Sequence, residues 1–389
     1  MKSSILKLGL LPAAILAAII LPDTYIYDRF ASTWWPRWIG VAYWIPSILI
    51  MCSLIAAAVM FTRSRCSEVF HNVGVIILSS LSVVLPKIGF VVTLTTLESL
   101  GLGRVSLYVA FAVAAALLFT LIYGATAGKA RFKVRSVEID AKGLPKEFDG
   151  YRIVQLSDIH AGSWHGNSAG LAKAVEIVNS LNPDMVAFTG DLVNSDADEV
   201  DEFIPILSNI RAADGVYSVL GNHDYGTYSR LATTNGVFGH VSSIRERHHM
   251  LGWELLNNEN RMITRGGEKI AIVGVENSGN PPFPCRGDLK QAMSDTDGLY
   301  KILLSHDPTH WRREVLPSSD VQLMLAGHTH DMQFSIFGHS PASKVYAEHN
   351  GLYTSDDGRN LFVNIGLGHL FPLRLGAWPE ITLITLRRS

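Results

Sequence analysis

The chain has 389 residues, 48% of them hydrophobic and 17% charged, with a formal net charge of −2. Mean hydropathy is +0.21, high for a fully soluble protein, and only 12 of its 68 Asp, Glu, Lys and Arg residues fall in positions 1–128. This composition excludes a disordered chain, three cysteines exclude a disulfide framework and a CxxC metal pair, and the balanced charge gives no reason to expect nucleic acid.

Four apolar runs open the chain, at 5–21, 39–61, 73–97 and 105–123. Each approaches the ~20 residues that a helix needs to cross the hydrocarbon core. Lys2 and Lys7 resemble the start of a signal peptide, but the first run ends Leu21-Pro22-Asp23 with no small-residue cleavage site, which favours an uncleaved anchor. Trp34, Trp35 and Trp38 precede the second run, where indoles suit the lipid–water interface; packing on other helices is the plainer alternative. With about four spans, Lys2, Lys7, Arg63, Arg65, Lys129, Arg131, Lys133 and Arg135 share one side, against Arg29, Arg37 and Arg104 on the other. The excess of basic residues places both termini in the cytoplasm, as for a protein of the bacterial inner membrane. Pro86-Lys87 interrupts the third run; a snorkelling or bundle-buried lysine is the expected reading, and a re-entrant run would reverse the sidedness.

From residue 129 the pattern changes, so residues 1–128 are read as a membrane region and 129–389 as a soluble domain. Runs at 152–156, 185–189, 216–220, 301–304 and 321–325 are predicted strands, with further strands at 269–275, 361–365 and 381–386. Leu171, Ala174, Val175 and Val178 recur at helical spacing before Asn182-Pro183, and 199–210 is predicted as a second helix interrupted by Pro205. This alternation argues for an α/β core.

Polar blocks follow five of these strands: Ser157-Asp158-Ile159-His160, Gly190-Asp191, Gly221-Asn222-His223-Asp224, Ser305-His306-Asp307 and Gly327-His328-Thr329-His330. Side chains at the carboxyl ends of adjacent strands converge at one edge of an open α/β sheet. The donor set suits two divalent ions. Asp158, His160, Asp191 and His330 can hold one, and Asp191, Asn222, His306 and His328 the other, with Asp191 bridging ions ~3.5–4 Å apart. Their charge outweighs that of the two aspartates and attracts a phosphate oxygen. Mixed imidazole and carboxylate ligation points to manganese first, with iron, zinc or cobalt as alternatives. His223 is surplus to ligation and is placed to act as general acid, with Asp224 orienting its ring. Trp164 and His165 could rim a substrate pocket. Arg374 could grip a phosphate, a structural salt bridge being the alternative. The other histidines, His248 and His310 among them, are read first as surface or loop residues.

These blocks resemble the calcineurin-like metallophosphoesterase superfamily, and the resemblance covers about residues 132–389. The stretches LPKEFDGYRIVQLSDIH, GVYSVLGNHD and GLGHLFPLRLGAWPEITLITL are similar to a membrane-associated branch related to UDP-2,3-diacylglucosamine hydrolases and transmembrane metallophosphoesterases. The resemblance implies a four-layer αββα sandwich. It further implies hydrolysis of a phosphodiester or pyrophosphate, with a lipid-linked substrate such as a lipid A precursor. Alternatives are a protein or nucleotide phosphatase and a non-catalytic scaffold of the same fold. Asp331-Met332 stands where many relatives have Gly-Gly. Gly190-Asp191 lacks the Asp-Arg-Gly continuation of protein Ser/Thr phosphatases, and His223 is followed by Asp where they have Glu; both differences weaken a phosphoprotein substrate. The expected partners are the phosphoester substrate and membrane lipids, with no protein partner.

Overall fold

The structure, a computed structural model, describes residues 2–32, 35–63, 67–227 and 230–389; Trp34, Arg65 and Cys66 lie outside the described residues. The chain divides into two compact units, the first ending at Thr126 and the second running from Ala127 to Ser389.

The first unit is helical. Segments Arg37–Arg63, Glu68–Ser99 and Arg104–Ala130 are each long and apolar enough to cross a membrane. Helix Lys2–Ile26 precedes them and runs on past Pro22-Asp23, where the apolar run was read as ending. Helix Ser67–Ser99 continues without a break through Pro86-Lys87. The lysine is accommodated by pairing: Lys87 Nζ lies 2.6 Å from Asp23 Oδ1, Tyr43 donates to the same oxygen at 3.1 Å, and Ser47 donates to Oδ2. Removal of either charge would leave the other unpaired in an apolar bundle, a far larger cost than that of the neutral pair.

The described residues of the second unit form twelve strands. Five come first: β1 (Lys133–Ala141), β2 (Arg152–Leu156), β3 (Met185–Phe188), β4 (Val216–Ser218) and β5 (Glu254–Leu255). Six follow: β6 (Glu259–Arg265), β7 (Glu268–Gly274), β8 (Tyr300–Leu304), β9 (Leu323–Ala326), β10 (Gly351–Thr354) and β11 (Asn360–Val363). Strand β12 (Glu380–Arg388) then returns to the first sheet, whose order is β1-β12-β2-β3-β4-β5; the second is β10-β11-β9-β8-β7-β6. Strands β2 to β5 are parallel, as are β7, β8, β9 and β11, while β6 and β10 close the second sheet antiparallel.

Alternation along each strand builds the layers. Ile153, Met185, Ala187, Ile270, Ile272, Ile302, Leu304, Leu323 and Leu325 interlock between the sheets. Val154, Leu156, Val186 and Phe188 face outward onto Leu171, Ala174, Val175 and Val178 of helix Ser168–Ser180, which Asn167 caps. On the far side Ala271, Val273, Leu303 and Met324 pack on Leu289, Trp311 and Val315. The central strands β2, β3, β8, β9 and β11 are buried on both faces, which is why they read as continuous apolar runs. The predicted helix over 199–210 is instead a 3₁₀ segment, Ala197–Phe203, followed by a single turn, Ile204–Leu207, with Pro205 at its start.

Candidate metal centre

The five polar blocks leave the carboxyl ends of β2, β3, β4, β8 and β9, central strands of the two sheets. Backbone bonds lash them together: Asp158 N to Gly190 O at 2.8 Å, His160 N to Asp191 O at 3.1 Å and Gly327 N to His306 O at 2.9 Å. Asp158, His160, Asp191, His328 and His330 all take left-handed backbone, with φ between 47° and 73°. Such conformations persist where the surroundings over-determine them, as at a site whose side chains must converge. A Cβ at Gly221 would strike the Asp191 carboxylate, and one at Gly327 the Ser157 hydroxyl, so only glycine permits these approaches.

Two groups result, Asp158 with His160 and His330, and Asp191 with His306 and His328, each with ligand atoms within 4.8 Å of one another. Asp191 Oδ2 lies between them, 3.7 Å from His160 Nε2 and 3.2 Å from His306 Nε2. Nδ1 of His160 donates to the Val193 carbonyl at 3.0 Å, and Nδ1 of His306 donates to that of Thr189 at 2.7 Å. A carbonyl only accepts, so each Nε2 turns a lone pair inward. Nε2 atoms of His160 and His330 approach to 3.0 Å, and both rings are buried. Nδ1 of His330 accepts from Arg374 Nη2, so its Nε2 carries a hydrogen that faces the lone pair of His160 Nε2 and the Asp158 carboxylate, standing where a cation would; the donor set fits divalent ions.

The electrostatics agree. Burial would lower His306, but the charge of Asp191 holds it up at about 10, a proton standing where a cation fits. Burial would raise Asp191, yet His306 and His223 pull it well below the usual carboxylate range. Asp158 is likewise lowered against its burial, by His330. Burial lowers His160 and His328, which keeps their rings neutral for ligation.

Asn222, Asp191 and His223 line one side of a cavity of about 490 Å³ with His328 and His330. Nδ1 of His223 donates to the Asn194 carbonyl at 2.6 Å, so Nε2 is the nitrogen at which a second proton is held or released. The lining also has apolar side chains, from Phe283, which packs edge-on against His328, and from Met332, Phe334, Leu370, Phe371 and Leu373. Tyr346, which no motif marks, also lines the cavity, and its hydroxyl lies 3.0 Å from His328 Nε2. Asp307 was visible beside His306 but given no role; its Oδ2 lies 3.7 Å from the same nitrogen.

Five expectations are corrected. Asp224 does not orient the ring of His223. Its buried carboxylate accepts four backbone N–H groups, from Gly221 at 2.8 Å, Asp191 at 2.9 Å, Leu192 at 2.8 Å and Val193 at 3.3 Å, clamping the two loops together. Trp164 is buried, donates to the Ile159 carbonyl at 2.9 Å and stacks on Phe132, so it supports the first loop from behind. His165 points to solvent and pairs with Glu202 at 3.1 Å. Arg374 is fully buried and donates to the carbonyls of Ile365, Gly366, Gly368 and Ala377, with Nη2 3.1 Å from His330 Nδ1; it holds the 366–368 loop and presents no group to a phosphate. His248 and His310 are also buried.

A family profile described as calcineurin-like phosphoesterase matches residues 151–332. The uncharacterized metallophosphoesterase YkuE of Bacillus subtilis is 33% identical over 263 residues, covering 63% of this chain and 82% of that protein. The chain belongs to the calcineurin-like phosphoesterase family. It carries the domain of a metal-dependent hydrolase, and every expected metal ligand lies within the matched stretch. A transmembrane protein with metallophosphoesterase domain from Danio rerio is 31% identical over 281 residues, 69% of this chain; the chain spans 60% of that relative's length. UDP-2,3-diacylglucosamine pyrophosphatase LpxG of Chlamydia trachomatis is 29% identical over 295 residues, 62% of this chain and 86% of that protein. With three described helices able to cross a bilayer, this family member is membrane-associated.

Proposed function

We propose that this protein is a membrane-anchored binuclear metal phosphoesterase that hydrolyses a phosphodiester or pyrophosphate in a lipid-linked substrate, of the UDP-2,3-diacylglucosamine kind. The observation that carries the binuclear reading is Asp191, whose carboxylate faces both ligand groups. Asp158, His160 and His330 complete one site, and Asn222, His306 and His328 the other, with manganese the expected ion. The chemistry that two divalent ions contribute when bound is Lewis acidity toward a phosphoryl oxygen and acidification of water. The chain's own residues do the rest. His223 delivers a proton from Nε2 to the leaving oxygen, its ring fixed by the Asn194 carbonyl. Asp224 holds the Asp191 and Asn222 loops in register. The apolar side chains in the cavity lining suit an acyl or other hydrocarbon group beside the phosphate.

The lipid-linked substrate is further supported by the apolar helices and the similarity to LpxG. The basic residues flanking the helices favour a cytoplasmic domain in the bacterial inner membrane, with 1–128 the membrane region and 129–389 the catalytic one. Turnover of UDP-2,3-diacylglucosamine and its deacylated form in detergent tests the substrate class. A clear preference for the acylated form is expected; equal rates would remove the lipid reading.

A further inference from the structure

Beside the cavity the chain makes a tight hairpin. Ile336 and His339 exchange backbone bonds, Ile336 N to His339 O at 3.0 Å and His339 N to Ile336 O at 2.9 Å, around Phe337 and Gly338 with φ of 51° and 81°. Two consecutive residues at positive φ make the type I′ geometry, whose first position favours Asn, Asp or Gly. Here it carries phenylalanine, strained in backbone and 97% exposed, so neither turn preference nor core packing explains the residue.

The hairpin is rigidly held. Ser335 N donates to Leu375 O at 2.8 Å, Phe334 bridges to Leu375, and Ser340 Oγ donates to the Asp331 carbonyl at 2.7 Å. Phe334 in turn lines the cavity. Met332, Ile336, Phe337, Val345 and Leu370 are five of the nine exposed large apolar side chains described in residues 127–389. Apolar exposure in this unit is thus concentrated at the mouth of the site, as expected of a binding surface. Residues 332–347 contain one lysine, the exposed Lys344, and no Asp or Glu. An apolar tip with a basic flank and no acidic group complements a bilayer with anionic headgroups. The connection from the last apolar helix to β1, residues 126–132, is short enough to keep a bilayer within reach of the domain.

We propose that the 335–339 hairpin is a membrane-docking element that inserts Phe337 and Ile336 into the acyl boundary of the bilayer and turns the mouth of the cavity toward lipid. The proposal rests on the lipid-linked reading of the site. Docking lets an amphiphile pass from the bilayer to the metal centre along the apolar side chains of the cavity lining without crossing water.

The test uses the full chain, with Cys52, Cys66 and Cys285 replaced by serine and an environment-sensitive fluorophore on Phe337→Cys. The protein is reconstituted in phosphatidylcholine–phosphatidylglycerol vesicles with brominated acyl chains and no substrate. The same fluorophore on Asp357→Cys, in an exposed turn, is the reference. Bromine should quench position 337 at least about twofold more than position 357. Equal quenching overturns the proposal. So does a signal at 337 that follows protein concentration in detergent rather than bromine, which assigns the surface to a second copy of the chain. Phe337→Ser should keep turnover of soluble bis-p-nitrophenyl phosphate within about twofold while losing about tenfold on a vesicle-borne phosphoester. Loss of both activities overturns docking as the role of Phe337. Failure of the unsubstituted protein on the soluble ester would instead fault the phosphoesterase reading.

Discussion

Asp224 offers a prediction that separates what the structure assigns from what the motif suggested. Its two oxygens each receive two backbone N–H groups from the Gly190-Asp191 and Gly221-Asn222 loops. Asp224→Asn keeps the shape but leaves one oxygen for two of the four donors and turns an NH₂ toward the other two. Two stranded buried N–H groups cost roughly 1–3 kcal/mol each. Part is offset, because burial and the neighbouring Asp191 charge already push the Asp224 carboxyl up to about 7, so its ionised form is itself under strain. A net loss of about 2–4 kcal/mol remains, which lowers the melting temperature of a domain this size by roughly 4–16 °C. The assay is thermal unfolding of the chelated full chain in detergent, followed by elemental analysis after reloading. The expected result is lower stability and incomplete metal occupancy, with no change in the alkaline limb of the pH–rate profile, where the general acid loses its proton. Unchanged melting and occupancy together with a displaced limb would refute the reasoning and return Asp224 to the role of orienting His223.

His223→Ala should retain both ions while lowering turnover by roughly 10²–10⁴, checked by elemental analysis alongside bis-p-nitrophenyl phosphate kinetics. Arg374→Lys should reduce stability by about 2–4 kcal/mol through lost buried hydrogen bonds, with KM of the folded protein nearly unchanged; a large rise in KM at unchanged melting temperature would restore a phosphate contact. Burial holds His248 down at about 3 in the folded protein, against 6.5 when unfolded, so unfolding takes up a proton below pH 6.5 and stability falls as pH drops from there toward 3. At pH 5 the loss is about 2 kcal/mol, and His248→Phe should remove it, as denaturant midpoints at pH 7.5 and 5 would show.

The strand-end blocks were legible because a doubly buried strand reads as an apolar run and the ligands follow it within a few residues. Strand β1 escaped notice since its exposed, alternating sequence KVRSVEIDA lacks that run. Asp23 reads as the end of one apolar run and Lys87 as an interruption of another; the pairing that explains both joins residues 64 apart, which no local pattern encodes. Asp224 and Arg374 were misread for the same cause. Both types suit catalysis, and only the count of backbone partners shows that these two build the loops instead. Trp164 sits next to a ligand block, but its neighbour Phe132 comes from a distant stretch and draws it inward.

The most direct test of the binuclear centre is metal content measured against Asp191. The full chain, purified in detergent and loaded with manganese, should hold two ions per molecule and turn over bis-p-nitrophenyl phosphate, and Asp191→Ala should lose both the second ion and turnover. Two ions retained in the Asp191 variant, or an unsubstituted protein inert with manganese, iron, cobalt and zinc alike, would contradict the account.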